Sequence, residues 1–286
     1  MKDQMIQGLA YGTELRFFAA YTKDTVQEAV RIHGTSPVCS AALGRLLTAA
    51  AMMGRMEKND NDLVTLRIDG DGPIGGMTVT ADVCGHVKGL ISNPFVDIPL
   101  KENGHLDVGT AVGRGTLSVI RGAADADPYT GQIQLVTGEI GEDLTYYFAE
   151  SEQIPTSVGL GVLVDRDLSI MHAGGFILQL LPFASEETIS MLEQSLKEHP
   201  SVTDMLKEDP DPAGMMRKIL GDITIEDRCD VAYSCSCNRQ RVEKALISLG
   251  RNELEKLVAD GEKIKLHCDF CNKDYEFTTE EIKALT

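Results

Sequence analysis

The 286-residue chain contains no tryptophan, and aromatic residues make up only 5% of it. That leaves little for stacking on single-stranded bases. Positive charge is also scarce: 27 Lys and Arg stand against 44 Asp and Glu, a formal charge of -17. Phosphate backbones and anionic lipid both require a positive face, so neither nucleic acid nor membrane is expected as a main partner. The start, Met1-Lys2-Asp3-Gln4, places an acid where a signal peptide needs an apolar stretch. No apolar run reaches the roughly 18–20 residues of a spanning helix. There is no G-x-x-x-x-G-K-[ST] loop, hence no ATP-binding signature. A cytoplasmic protein is expected. Hydrophobic residues at 43% and charged residues at 25% specify a packed core rather than a disordered chain.

Against these absences stand seven cysteines: Cys39, Cys84, Cys229, Cys235, Cys237, Cys268 and Cys271. An odd number in a long chain without a secretion signal fits a structural disulfide framework poorly. Five of the seven fall between Cys229 and Cys271, near the C-terminal end, and that clustering requires a local explanation.

Residues 1–182 read as an N-terminal α+β core domain built on antiparallel sheet with packed helices. Leu15, Phe17 and Ala19 alternate as in a strand. Thr25 and Glu28 have capping-box spacing, Val26, Ala29 and Val30 share a helix face, and Gly34 is a stop. Ser36-Pro37 opens a second helix, to about Met56, that is apolar on most sides and should be buried. Strand-like runs follow at Val64–Ile68, Met77–Ala81, Val87–Ile91, Thr116–Arg121, Gln132–Thr137, Val158–Val164 and Phe176–Leu181. Gly70-Asp71-Gly72-Pro73-Ile74-Gly75 matches G-x-G-x-x-G, yet a strand pattern follows where a dinucleotide site needs a helix. It reads as a glycine hairpin.

Residues 183–230 read as a helical connector. Ile189, Leu192 and Leu196 have helical spacing, and Asp211-Pro212 opens a helix that Gly221 ends. From 185 to 229 there are 11 acids against 5 bases, with Pro200, Pro210 and Pro212 as breaks. Taken alone, the segment is an acidic interdomain linker.

Residues 231–286 carry the cysteine cluster and a helical pattern from Asn238 to Ala259. Cys235-Ser236-Cys237 and Cys268-Asp269-Phe270-Cys271 are separated by the stretch from Asn238 to His267. Two close pairs of thiolates on two loops supply the tetrahedron that zinc prefers, and a domain of this size needs such a clip to fold. One Zn2+ per chain is expected in the reduced form, held by Cys235, Cys237, Cys268 and Cys271. His267 is an alternative ligand, but four thiols complete the tetrahedron without it. Cys229 reads as a spectator, Cys39 and Cys84 as core and turn thiols. His33, His86, His105, His172 and His199 make no pair at ligand spacing. Between Asp230 and Thr286, 11 acids and 9 bases leave no basic face. Vicinal thiolates react with oxidants, and adjacent partners trap a sulfenic acid as a disulfide. A redox switch and a permanent structural site share these ligands, and the thiol chemistry leaves both open.

The C-x-C and C-x-x-C pairs resemble those of the redox-regulated holdase chaperone family named heat-shock protein of thirty-three kilodaltons. His33-Gly34 through Ala41-Ala42-Leu43-Gly44-Arg45 is similar to that family's first long helix and its approach. Gly72-Pro73-Ile74-Gly75 and Ile91-Ser92-Asn93-Pro94 resemble its sheet turns, and Ser157-Val158-Gly159 through Gly174-Gly175-Phe176 the end of its N-terminal domain. The resemblance covers essentially the whole chain. It implies a zinc-bound, reduced protein of low activity and a stress response to oxidants. Cys235 with Cys237, and Cys268 with Cys271, would then form redox-active disulfides as zinc leaves. The linker would unfold, a homodimer form, and unfolded or partly unfolded client proteins be held without ATP. No turnover enzyme is implied. Two rivals remain: a thiol-disulfide oxidoreductase using Cys268 and Cys271, and a zinc-ribbon adaptor of translation or transcription.

Overall fold

A computed structural model describes residues 2–123, 128–199, 201–260 and 264–284. The chain divides into two compact units, Met1–Tyr233 and Ser234–Thr286.

The first unit runs β1 (Gln4–Ala10), β2 (Leu15–Tyr21), α1 (Lys23–His33), α2 (Pro37–Gly54), β3 (Asp62–Gly70), β4 (Gly76–Asp82), β5 (His86–Ile91) and α3 (Val108–Val112). It continues through β6 (Gly115–Ala123), β7 (Tyr129–Gln134), α4 (Gly141–Tyr147), β8 (Thr156–Val164) and β9 (Ile170–Leu180). Then come α5 (Glu186–Glu198), α6 (Val202–Glu208), α7 (Pro212–Leu220), β10 (Ile223–Asp230) and β11 (Ala232–Tyr233). One sheet has the order β10-β1-β2-β9-β8 and the other β11-β5-β4-β3-β6-β7. Pairing is antiparallel except where β11 lies parallel to β5. The α+β expectation with antiparallel sheets holds.

Helix α2 packs on strands of both sheets and is buried along nearly its whole length. Its small side chains permit this. A Cβ built on Gly44 would stand 2.7 Å from Val26 Cγ1 and 2.9 Å from Val162 Cγ2, so only glycine admits α1 and β8 this closely. The helix has 18 residues and is long and apolar enough by length and composition to cross a membrane, contrary to the expectation that no such run exists. That expectation is corrected, but 89% of the span is buried, so this is the core helix of the unit. Ser36 precedes it as expected, although its hydroxyl donates to Val96 O at 2.8 Å instead of capping the helix.

The five-stranded sheet is covered on both faces, which is why β2 reads Leu-Arg-Phe-Phe-Ala-Ala-Tyr with almost no polar alternation. One face joins the α2 core. The other places Ile6, Phe17, Phe176 and Leu178 against Leu192 of α5, Leu206 of α6 and Met216 of α7. The acidic connector helices thus have a buried apolar side. Gly70–Gly75 is the β3–β4 hairpin turn, with Gly70 N donating to Gly75 O at 2.8 Å.

Several local expectations need correction. Residues 223–230 are a strand pairing with β1, not the end of a helical stretch, because Ile223 and Ile225 alternate with polar residues as an edge strand does. Strand β7 begins and ends three residues before the expected run, and β9 begins at Ile170. Thr25 does not open α1. The helix starts at Lys23, and the buried carboxylate of Asp3 accepts from Asp24 N at 3.0 Å and Thr25 N at 2.6 Å. Burial raises the Asp3 pKa despite those bonds.

The second unit holds α8 (Arg239–Ile247), α9 (Arg251–Asp260), β12 (Ile264–Cys268), β13 (Lys273–Phe277) and α10 (Thr279–Lys283). The expected single helix is broken after Ile247, where Gly250 takes φ +86. Its core is small: Leu246, Leu254, Phe277 and Ile282 are its fully buried apolar side chains among the described residues. The Arg239 guanidinium lies 4.3 Å from the Phe277 ring centroid and pairs with Glu281 at 2.6 Å, tying α8 to α10.

Candidate metal centre

Cys235 and Cys237 sit on the extended stretch before α8, whose first turn is capped by the Asn238 side chain accepting from Arg241 N at 2.9 Å. The Arg241 side chain turns back to Ser236 O at 3.3 Å, holding the residue between the two cysteines. Cys268 ends β12 and Cys271 lies in the turn to β13. Cys271 N and Asn272 N both donate to Cys268 O, at 3.1 and 2.8 Å, and Asn272 adopts φ +55 to close the turn. A C-x-x-C spacing on such a turn aims both thiols to one side.

The four sulfurs lie within 4.8 Å of one another. Cys235 Sγ is 3.8 Å from Cys268 Sγ, and Cys237 Sγ is 3.2 Å from Cys271 Sγ. Four sulfurs about 2.3 Å from a central zinc would be separated by about 3.8 Å along each edge of the tetrahedron. The set therefore fits zinc in number, softness and spacing. All four residues are half-buried, and all are free thiols.

The thiols are not equivalent. Burial pushes Cys237 up, but hydrogen bonds from Tyr275 Oη, at 3.1 Å, and from Cys271 outweigh it and bring the thiol to about 7. Burial raises Cys271, and its bond to Cys237 adds to that. Burial also raises Cys235. Cys237 is thus drawn toward its thiolate, the state needed both for metal binding and for attack on an oxidant. The Tyr275 hydroxyl is itself pushed up to about 12, first by its bond to Cys237.

Nothing in the cysteine spacing points to Tyr275. Its signal lies in register: as partner of Leu266 it is two pairs from Cys268 on the β12–β13 ladder. His267 does not join the four sulfurs. Its ring nitrogens face Asp274 at 2.8 Å and Asn272 at 3.3 Å. Cys39 is buried in α2, Cys84 is exposed in the β4–β5 turn, and Cys229 lies on β10 of the first unit.

Comparison with known proteins covers the whole chain. The family model described as Hsp33 protein matches residues 3–278. A 33 kDa chaperonin of Agathobacter rectalis is 48% identical over 287 residues, with 100% of both chains covered. One from Bacillus cytotoxicus is 46% identical, covering 100% of this chain and 99% of its own. A crystal structure titled 33 kDa chaperonin (Heat shock protein 33 homolog), from Thermotoga maritima, superposes with a TM-score of 0.90 at 34% identity. It covers 100% of this chain and 98% of that one. The resemblance seen in the sequence is borne out.

Proposed function

This chain belongs to the Hsp33 family, a family of chaperones, and from that premise we propose an ATP-independent holdase activated by oxidation of Cys235, Cys237, Cys268 and Cys271. The observation that carries the proposal is the convergence of four thiols within 4.8 Å in a unit with only four fully buried apolar side chains among the described residues. Bound zinc would supply a closed tetrahedral crosslink between the two cysteine loops and, with it, folding free energy.

The thiol chemistry is a two-electron oxidation. The Cys237 thiolate attacks one oxygen of a peroxide; the O–O bond breaks, Cys237 becomes a sulfenic acid, and the departing hydroxide takes a proton to form water. A second thiolate attacks that sulfur, the S–S bond forms as the S–O bond breaks, and the departing hydroxide takes a proton to form a second water. Each disulfide costs two thiols and reduces one peroxide. The family pairing is Cys235 with Cys237 and Cys268 with Cys271. In the reduced chain the sulfurs also approach across the two loops, Cys237 to Cys271 at 3.2 Å and Cys235 to Cys268 at 3.8 Å, and peptide mapping distinguishes the family pairing from a crossed one.

Sulfurs locked in disulfides no longer hold a metal, and residues 231–286 lose their crosslink. The connector, residues 183–230, continues from that domain in sequence and loosens next. Its Leu192, Leu206 and Met216, and the sheet residues Ile6, Phe17, Phe176 and Leu178 beneath them, form the apolar surface offered to unfolded clients. The excess of acids along the connector keeps the opened form soluble. Dimerisation of the oxidised chain and action in the cytoplasm under oxidative stress complete the reading, with neither nucleic acid nor membrane as partner.

The test is light scattering of a thermally unfolding client. The oxidised protein suppresses aggregation in proportion to its amount and without nucleotide, and the reduced protein does not. Multiple-turnover reduction of insulin disulfides with no suppression would instead establish the oxidoreductase reading.

A further inference from the structure

Two further thiols lie on adjoining segments of the first unit. Cys84 is exposed in the turn between β4 and β5, which Asp82 shapes by accepting from Cys84 N at 2.9 Å and His86 N at 3.0 Å. Cys229 is half-buried near the end of β10, opposite Met5 of β1. The chain leaving β10 runs directly beside that turn. Ala232 N donates to Gly85 O at 3.0 Å, and the Asp230 carbonyl lies so close that a Cβ on Gly85 would stand 2.3 Å from its oxygen. Cys84 immediately precedes Gly85, and Cys229 immediately precedes Asp230. A disulfide needs Cα atoms within about 7 Å, and the residues in contact here, Gly85 and Asp230, are the immediate neighbours of the two cysteines.

The side chains point the same way. Asp227 and Cys229 alternate onto the half-buried face of β10. Asp227 pairs with Arg55, whose Nη1 also donates to Val83 O at 3.5 Å, so this face of β10 looks onto the residues before Cys84. The Cys84 thiol is among the groups that act electrostatically on the Cys229 thiol, together with Arg55, Asp227 and Asp230; burial is what chiefly pushes Cys229 up.

We propose that Cys84 and Cys229 form a second oxidisable dithiol, which closes to a disulfide and staples the end of β10 to the β4–β5 turn. Exposed Cys84 is the attacking group. Its thiolate takes one oxygen from a peroxide, the O–O bond breaks, and the other oxygen leaves as water. The Cys229 sulfur then attacks the Cys84 sulfenic sulfur, gives its proton to the departing hydroxide, and a second water leaves. The site is separate from the four-cysteine centre and responds to the same class of oxidant. Where the connector opens as proposed above, the staple keeps β10 on β1 and ends the opening before residue 229. It closes a loop of about 145 residues, so it also restricts the unfolded chain and stabilises the first unit.

The test uses the full-length reduced protein treated with peroxide, quenched by alkylation, digested and read by mass spectrometry. The expected product is a Cys84–Cys229 linked peptide. Cys84→Ser, an exposed position, removes that peptide and leaves Cys229 alkylated. After oxidation the wild-type first unit melts several degrees above that of Cys84→Ser, and the two melt alike when reduced. The proposal is overturned if Cys84 and Cys229 are recovered alkylated, or linked to other cysteines or to a second chain. The same digest reports Cys235, Cys237, Cys268 and Cys271 separately, so failure of the staple and failure of the main switch are told apart.

Discussion

Leu206→Ala tests whether the connector is an effector or merely a covering. Leu206 is fully buried on α6 in the cluster between the connector helices and the five-stranded sheet. Its Cδ1 fills the space above Gly174 of β9, 2.8 Å from where a Cβ on that glycine would sit. Truncating a leucine at such a site costs about 2–5 kcal/mol in lost transfer energy and cavity. The three connector helices are short, and α6 has seven residues, so this loss falls on a segment able to open without the rest of the unit. At about 3 kcal/mol the open population of residues 186–220 rises roughly 100-fold. Native-state hydrogen exchange should show faster exchange across α5–α7 with β3 and β4 unchanged. Light scattering should show client holding with the thiols still reduced. Leu46→Ala, equally buried but on α2, provides the contrast, since it destabilises the central core. If Leu206→Ala accelerates exchange in β3 and β4 as much as in α5–α7, the connector is not a separate opening unit and the effector assignment is wrong.

Further outcomes follow from the same structure. Cys268→Ser, or removal of metal from the reduced protein by a chelator, should abolish exchange protection in 234–284 while β1–β9 keep theirs; retained protection would show that the four thiols do not hold that unit together. Phe277→Ala should cost about 3–5 kcal/mol plus its cation–π contact with Arg239, enough to unfold a unit of this size, read by loss of metal at neutral pH. Asp143 is buried and accepts from the backbone N–H of Val136, Thr137, Gly138 and Ile140, so Asp143→Ala should lower the Tm of the first unit by far more than a surface substitution. Burial pushes Glu139 up, but Lys101 at 2.5 Å and Arg45 at 2.6 Å hold its carboxyl below the usual 4.5. A depressed folded-state pKa contributes stability above the unfolded value that is lost as pH falls through the folded one. Glu139→Gln should therefore flatten the decline of Tm below about pH 4.5, and an unchanged acid limb would contradict this assignment.

The site is legible in the sequence because its chemistry is local: two closely spaced cysteine pairs need only a turn and a loop to converge, and the C-x-x-C backbone bonds at Cys268 provide the turn. Strands with one buried face, such as β3 and β4, are legible from alternation for the same reason. What escapes such a reading depends on distant partners. Strand β10 looks like a linker end until β1, from the opposite end of the unit, supplies its ladder. Asp3 caps a helix that begins only at Lys23, after two intervening strands, and so local spacing offers Thr25 as the cap instead. Tyr275 acts on Cys237 only through strand register, and the turn carrying Cys84 meets the end of β10 only through contacts between distant segments.

The central claim is that one oxidation event at four thiols both releases the metal and creates the holding activity. The direct measurement follows zinc release with a metal-binding dye during peroxide treatment at mild heat, while aliquots are assayed for suppression of client aggregation. The account predicts that metal release and holding activity rise together, and that a thiol reductant plus zinc reverses both. Zinc leaving with no client held would make the cluster structural only, and zinc remaining bound throughout would contradict the switch at its first step.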